Sequence, residues 1–135
     1  MSNDNRLDLT AFSERIATLR THVADNVVGQ SLPVHLLLTA LMADGHVLLE
    51  GVPGVAKTLL AKTLARLVRA DFRRVQFTPD LMPTDVLGTS IFNLGTQQFD
   101  FHPGPVFTQV LLVDEINRAP AKTQAALFEV MEERQ

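Results

Sequence analysis

An α/β fold, with a parallel sheet layered between helices, is what this sequence predicts, and three observations predict it. An apolar run, Val47-Leu48-Leu49, leads into a loop of small residues, Gly51-Val52-Pro53-Gly54-Val55-Ala56-Lys57-Thr58, which opens an amphipathic segment at Leu59-Leu60. A second apolar run, Val110-Leu111-Leu112-Val113, is continuous rather than alternating, as in a parallel strand covered on both faces, and it delivers Asp114-Glu115 at its carboxyl end. Segments of helical period lie before, between and after these runs.

The elements follow in order. Phe12, Ile16, Leu19 and Val23 fall at helical spacing behind Thr10 as N-cap, which predicts a helix over 11–24, and residues 1–26 are set apart as an N-terminal helical segment. Val27-Val28-Gly29-Gln30 is a short connector. Ser31 and Pro33 open a second helix running to about Asp44-Gly45. Its residues Leu36, Leu37, Leu38, Leu41 and Met42 leave it apolar nearly all round, so it is expected to be covered on more than one side. His46 to Glu50 reads as a strand aimed at the glycine loop. A third helix from Lys57 to about Ala70 turns Leu60, Leu64, Leu67 and Val68 inward.

Arg73 to Thr78 reads as a strand ended by Pro79, and proline and glycine punctuate Pro83 to Gly88. Ser90 to Asn93 and Gln98 to Phe101 flank Leu94-Gly95-Thr96-Gln97, a hairpin signal. After the strand at Val110, Pro120 suits the first turn of a last helix carrying Leu127, Val130 and Met131.

Bulk properties agree with one globular domain of modest core. The chain has 135 residues, 46% hydrophobic and 20% charged, and no cysteine. That removes disulfides, thiolate metal sites and Cys nucleophiles together. A net charge of −3 with scattered Lys and Arg lacks the basic footprint of a non-specific nucleic-acid binder, so no nucleic-acid partner is expected. The longest apolar run, Leu36 to Ala43, is far short of the roughly 20 residues of a membrane span. With no signal pattern at Met1 to Asn5, the expectation is a cytoplasmic protein with no membrane partner.

The loop at Gly51 has the chemistry of a phosphate cradle. Backbone amides after Pro53, through Gly54, Val55, Ala56 and on to the helix N-terminus at Thr58 and Leu59, can close around phosphate oxygens, Lys57 can reach the β and γ phosphates, and the Thr58 hydroxyl can sit on Mg²⁺. The usual pattern places glycine before the lysine, and this chain has Ala56, which is tolerable where φ is negative. Asp114 and Glu115 supply the second half of such a site. Adjacent strand residues point to opposite faces, so one carboxylate is expected to hold the magnesium shell and the other to polarise the attacking water.

Four stretches now carry a resemblance: G-V-P-G-V-A-K-T at Gly51, V-Q-F-T-P-D-L-M-P-T-D-V-L-G-T at Val75, F-H-P-G-P-V-F at Phe101, and L-L-V-D-E-I-N-R-A-P-A-K-T-Q-A-A-L-F-E-V-M-E-E-R-Q at Leu111. From about Val27 to Gln135 the chain resembles the MoxR family of AAA+ ATPases, in which alanine before the P-loop lysine is the usual form. The resemblance implies a P-loop NTPase fold, a three-layer αβα parallel sheet with a β-hairpin inserted in helix 2, of which 27–135 would be the N-terminal part of the core. It implies ATP and Mg²⁺ as ligands, with Lys57 and Thr58 as the Walker A pair, Asp114 as the Walker B magnesium residue and Glu115 as the catalytic glutamate. Val28-Gly29-Gln30 would lie near the adenine, and the hairpin from Ile91 to Phe101 would face substrate or partner.

The family also implies a homo-hexameric ring that remodels or matures a client protein complex, often beside a von Willebrand factor A domain protein. Its sensor asparagine, arginine finger and helical lid belong to sequence that would follow Gln135. The fourth strand, which pairs with the P-loop strand, would follow there too. The chain by itself is therefore expected to hydrolyse ATP very weakly or not at all and to expose an apolar sheet edge. A non-catalytic nucleotide-binding or interaction module is the alternative from another class, and a DNA-remodelling or chelatase relative is a further one.

Several residues keep two readings. Phe92, Phe99 and Phe101 could grip a substrate or simply pack. Asn117 and Arg118 could contact a neighbouring subunit, orient Glu115, or cap a helix start. Glu129, Glu132 and Glu133 read as a solvated helical face. His22, His35, His46 and His102 show no paired metal-ligand spacing.

Overall fold

The structure, a computed structural model, describes residues 10, 13–18, 21, 31–50 and 57–133. The chain divides into two compact units, the first ending at Leu67 and the second beginning at Val68. In the first, residues 13–18 are helical, within the helix expected over 11–24. Helix α1 spans Ser31–Met42 and α2 spans Lys57–Leu67.

One apolar stripe of α1, Val34, Leu37 and Leu38, packs with Leu60 and Leu64 of α2, joined by the half-buried Leu49 and Leu67. The expectation that α1 is covered on more than one side is not met among the described residues. Leu32, Leu36, Leu41 and Met42 are all exposed; among the described residues, α2 and Leu49 pack against the opposite stripe of the helix. The helix ends two residues before the predicted Asp44. Asp44 itself takes the left-handed conformation at φ 50°, and the Gly45 N–H donates to the Ala40 carbonyl across it.

Residues 45–50 form no strand, contrary to expectation. The apolar sequence suits one, but a strand persists by exchanging hydrogen bonds with a neighbour, and no described residue supplies a ladder. Leu48 is accordingly 75% exposed.

In the second unit, β1 (Phe72–Gln76) and β4 (Val110–Asp114) pair in parallel, with Phe72 opposite Val110 and Gln76 opposite Asp114. The Phe77 N–H extends the ladder by donating to the Asp114 carbonyl at 2.8 Å. Side-chain alternation sends Val75, Leu111 and Val113 to one face, where they pack on Phe77, Val86, Ala119 and Leu127. All of β4 is half-buried rather than sealed on both sides, since this unit's own core lies on one face only.

The sequence reading missed a short helix, α3 (Pro83–Leu87). Pro83 at its first position is pre-set for helical φ, and Asp85 accepts from the Met82 N–H at 2.8 Å, so both signals were present. The hairpin strands β2 (Gly88–Asn93) and β3 (Gln98–Pro103) leave directly from this helix, and turns rather than a resumed helix follow them. Asn93 organises the hairpin tip. Its side-chain oxygen accepts from the N–H groups of Gly95 and Thr96, its amide donates to Asp100, and Gln97 turns through φ 55°.

At the hairpin base the two backbones touch. Gly88 sits at φ 99°, and a Cβ on Gly104 would overlap the Val86 carbonyl oxygen and the Gly88 nitrogen. Gly104→Ala is therefore expected to lower unfolding stability by at least about 2 kcal/mol, measured by urea titration of the protein. An unchanged midpoint would show that the base can open without penalty.

Helix α4 (Ala121–Glu133) closes the unit. It starts one residue after the predicted Pro120, whose carbonyl accepts the first helical bonds. Thr123, 1% exposed, donates its hydroxyl to the Leu81 carbonyl at 2.7 Å and ties the helix to the loop after β1.

Candidate functional site

Lys57 and Thr58 are the first two residues of α2, both half-buried, with Leu59 exposed behind them. A helix start carries a partial positive charge, and no acidic residue lies in the first turn of α2 to compete with an anion. Hydrogen bonds within the helix hold this end in place, and Leu60, Ala61, Leu64 and Ala65 bury its inner face. Val28, Gly29, Gly51, Pro53, Gly54, Val55 and Ala56 lie outside the described residues.

The second unit brings Asp114 and Glu115 to the carboxyl end of β4. Asp114 is the last strand residue, and its carboxylate Oδ2 accepts from Arg74 Nε at 2.6 Å. Glu115 is not in the strand, so the pleat does not separate the two side chains as the alternation argument supposed. Instead Glu115 turns left-handed at φ 57° and ψ 40°, and a 3₁₀ turn, Ile116–Arg118, follows at once. The turn swings the chain off the sheet and folds Arg118 back, so that its Nε lies 3.2 Å from Glu115 Oε2. Of the two residues flagged beside the acidic pair, Arg118 thus faces Glu115 within the chain, and Asn117 is exposed in the turn. The Glu115–Arg118 pair is open to solvent on both sides, so it is worth less than about 1 kcal/mol and Glu115 can leave it at little cost.

Each unit offers a hard oxygen donor of the kind Mg²⁺ takes, the Thr58 hydroxyl in the first and the Asp114 carboxylate in the second. No group of three possible metal ligands is found among the described residues.

The hairpin phenylalanines pack in pairs and stay open to solvent. Phe92 and Phe99, opposite each other in the register, meet edge to face at 5.2 Å, and Phe101 meets Phe107 at 5.7 Å, yet all four remain substantially exposed. Beside them a groove of about 270 Å³ is lined by Leu87, Val106, Phe107 and Val130, with Glu129 and Glu133 also on its wall. Two of the glutamates read as a solvated face thus border an apolar groove. Arg74, on Asp114, was not singled out from sequence, because 40 residues separate the partners and only the strand register joins them. No helix among the described residues is long and apolar enough to cross a membrane.

Comparison with known proteins meets this geometry. Residues 46–135 match the model of the ATPase family associated with various cellular activities (AAA). The chain is similar to Chaperone MoxR1 of Mycobacterium tuberculosis, 59% identical over 108 residues, which is 80% of this chain and 29% of that protein. It is also similar to Protein MoxR of Methylorubrum extorquens, 38% identical over 132 residues, covering 93% of this chain and 38% of that one. A crystal structure from Cytophaga hutchinsonii, of a protein assigned as an ATPase, superposes with a TM-score of 0.73 at 45% identity, over 96% of this chain and 42% of the other. The chain therefore spans between about three tenths and two fifths of the length of these proteins.

Proposed function

Since the chain belongs to the AAA family of ATPases, in its MoxR group, we propose that it binds ATP with magnesium and contributes the carboxylates that hydrolyse it, in a ring that remodels a client protein complex. The observation that carries this reading is the placement of Asp114 and Glu115 together at the carboxyl end of a parallel strand, the end at which α/β sheets bind their ligands.

In this reading Lys57 would hold the β and γ phosphate oxygens from the start of α2, and the amides after Pro53, from Gly54 to Leu59, would surround the phosphates, with Gly51 and Pro53 in the same loop and Val28 and Gly29 beside the base. By the family resemblance Thr58 and Asp114 would hold the magnesium, which would supply neutralising charge to the phosphates. Glu115, freed from Arg118, orients and polarises the attacking water. The name of the Mycobacterium relative supports the chaperone part of the reading. The hexamer and the von Willebrand factor A domain partner rest on the family resemblance, and with the cytoplasmic location expected from the sequence they belong to the same proposal.

A second reading, a nucleotide-binding module that acts by contact through the hairpin without catalysis, draws on the exposure of Leu94 and Phe99, at 84% and 73%. Calorimetry with Mg-ATP together with a phosphate-release assay, run on the chain alone and on a form extended to the length of its relatives, separates them: binding with turnover in the extended form supports the ATPase, binding with no turnover in either form supports the module, and no binding in either removes both.

A further inference from the structure

Asp114 does not stand alone at the end of β4. The parallel register sets Gln76 opposite Asp114 and Arg74 opposite Leu112, so Arg74, Gln76, Leu112 and Asp114 share the face of the sheet turned away from Phe77 and Leu127. On that face Arg74 is the diagonal neighbour of Asp114, within reach of a long side chain. Its Nε donates to Asp114 Oδ2 at 2.6 Å, and its terminal nitrogen approaches Gln76 Oε1 at 3.4 Å. The contact takes one carboxylate oxygen and leaves Oδ1 for another partner.

We infer that Arg74 is a positioning residue for the nucleotide-bound magnesium: by holding Oδ2 it fixes the Asp114 carboxylate in the orientation in which Oδ1 receives a water of the metal shell. The inference rests on the reading of Asp114 as the magnesium residue. A short carboxylate has few ways to stand, and a charge-assisted bond to a guanidinium anchored on the neighbouring strand selects one of them before metal arrives. Groups that orient a metal's ligand in this way typically alter metal affinity by roughly 10- to 100-fold when removed. The Arg74 side chain is 49% exposed, so its loss leaves no buried orphan and is expected to disturb folding little.

The test is ATP affinity of the protein by calorimetry, with magnesium and again in EDTA, for wild type, Arg74→Ala, Arg74→Lys, Asp114→Ala and the double variant Arg74→Ala/Asp114→Ala, with melting curves to verify folding. Arg74→Ala is expected to weaken Mg-ATP binding by roughly 10- to 100-fold and leave metal-free ATP binding unchanged. Lysine, a point charge without the planar fork, should restore part of the loss. In the Asp114→Ala background the arginine change should add nothing.

Equal loss with and without magnesium, no loss, or the same loss in the Asp114→Ala background would each overturn the inference while leaving Asp114 as the magnesium residue. If Asp114→Ala itself binds Mg-ATP as wild type does, the reading of Asp114 fails, and the inference with it. Should Arg74→Ala fail to fold, Arg74→Gln and Arg74→Lys carry the same comparison.

Discussion

Replacing Glu115 with glutamine, in a form extended to the length of the relatives, is expected to leave Mg-ATP binding at wild-type strength while slowing turnover by roughly 10²- to 10⁴-fold, the usual contribution of a positioned general base. Glutamine keeps the shape of the side chain and can still touch a water, but it cannot take a proton. Single-turnover phosphate release beside a binding isotherm gives both numbers, and wild-type turnover in Glu115→Gln would refute the role assigned to the residue.

The backbone at Glu115 adds a second arm. A left-handed conformation costs an ordinary L-residue roughly 1–2 kcal/mol, and asparagine or glycine pays less of it. Glu115→Asn is therefore expected to raise the melting temperature although it removes the exposed pair with Arg118, whereas Glu115→Gln should leave the melting temperature near wild type. A residue retained in a conformation that suits it poorly, where a substitute would be more stable, is the pattern of a site that trades stability for chemistry.

The other large effect is expected at Lys57. Removing its ammonium with Lys57→Ala takes away a charge-assisted bond to phosphate, and ATP affinity should fall by roughly 10- to 150-fold. Lys62, exposed on the same helix, is the control: Lys62→Ala alters the net charge equally and should leave the affinity within about twofold. Equal losses for the two variants would mean that α2 attracts nucleotide only through its general charge.

What the sequence revealed and what it hid divide along a physical line. Elements whose signal is local were legible: the periodic α2, the continuous apolar β4 that ends on a carboxylate, and the hairpin around Leu94 to Gln97. Elements that depend on a partner were not. Among the described residues, the apolar run Val47 to Leu49 that promised a strand has no ladder, and α1, apolar nearly all round, is covered on one side. Helix α3 was hidden for the opposite reason. Its signals, Pro83 followed by Asp85, are local, but at five residues it is too short for periodicity to show.

In the site, the residue types and order of the acidic pair could be read directly. The left-handed turn at Glu115 and the guanidinium on Asp114 could not, because a backbone angle and a strand register are properties of the folded chain.

The pinched root of the hairpin has a consequence for how such a protein can diversify. Because Gly88 and Gly104 meet backbone to backbone, the root is set by atoms that every residue type shares, and only the missing side chains are required. From Thr89 to Pro103 the strands mostly face solvent and are shaped by their own turn at Asn93. The arm beyond the root can therefore be lengthened, shortened or given a new set of side chains to suit a different surface, while the strand bearing Asp114 keeps its place.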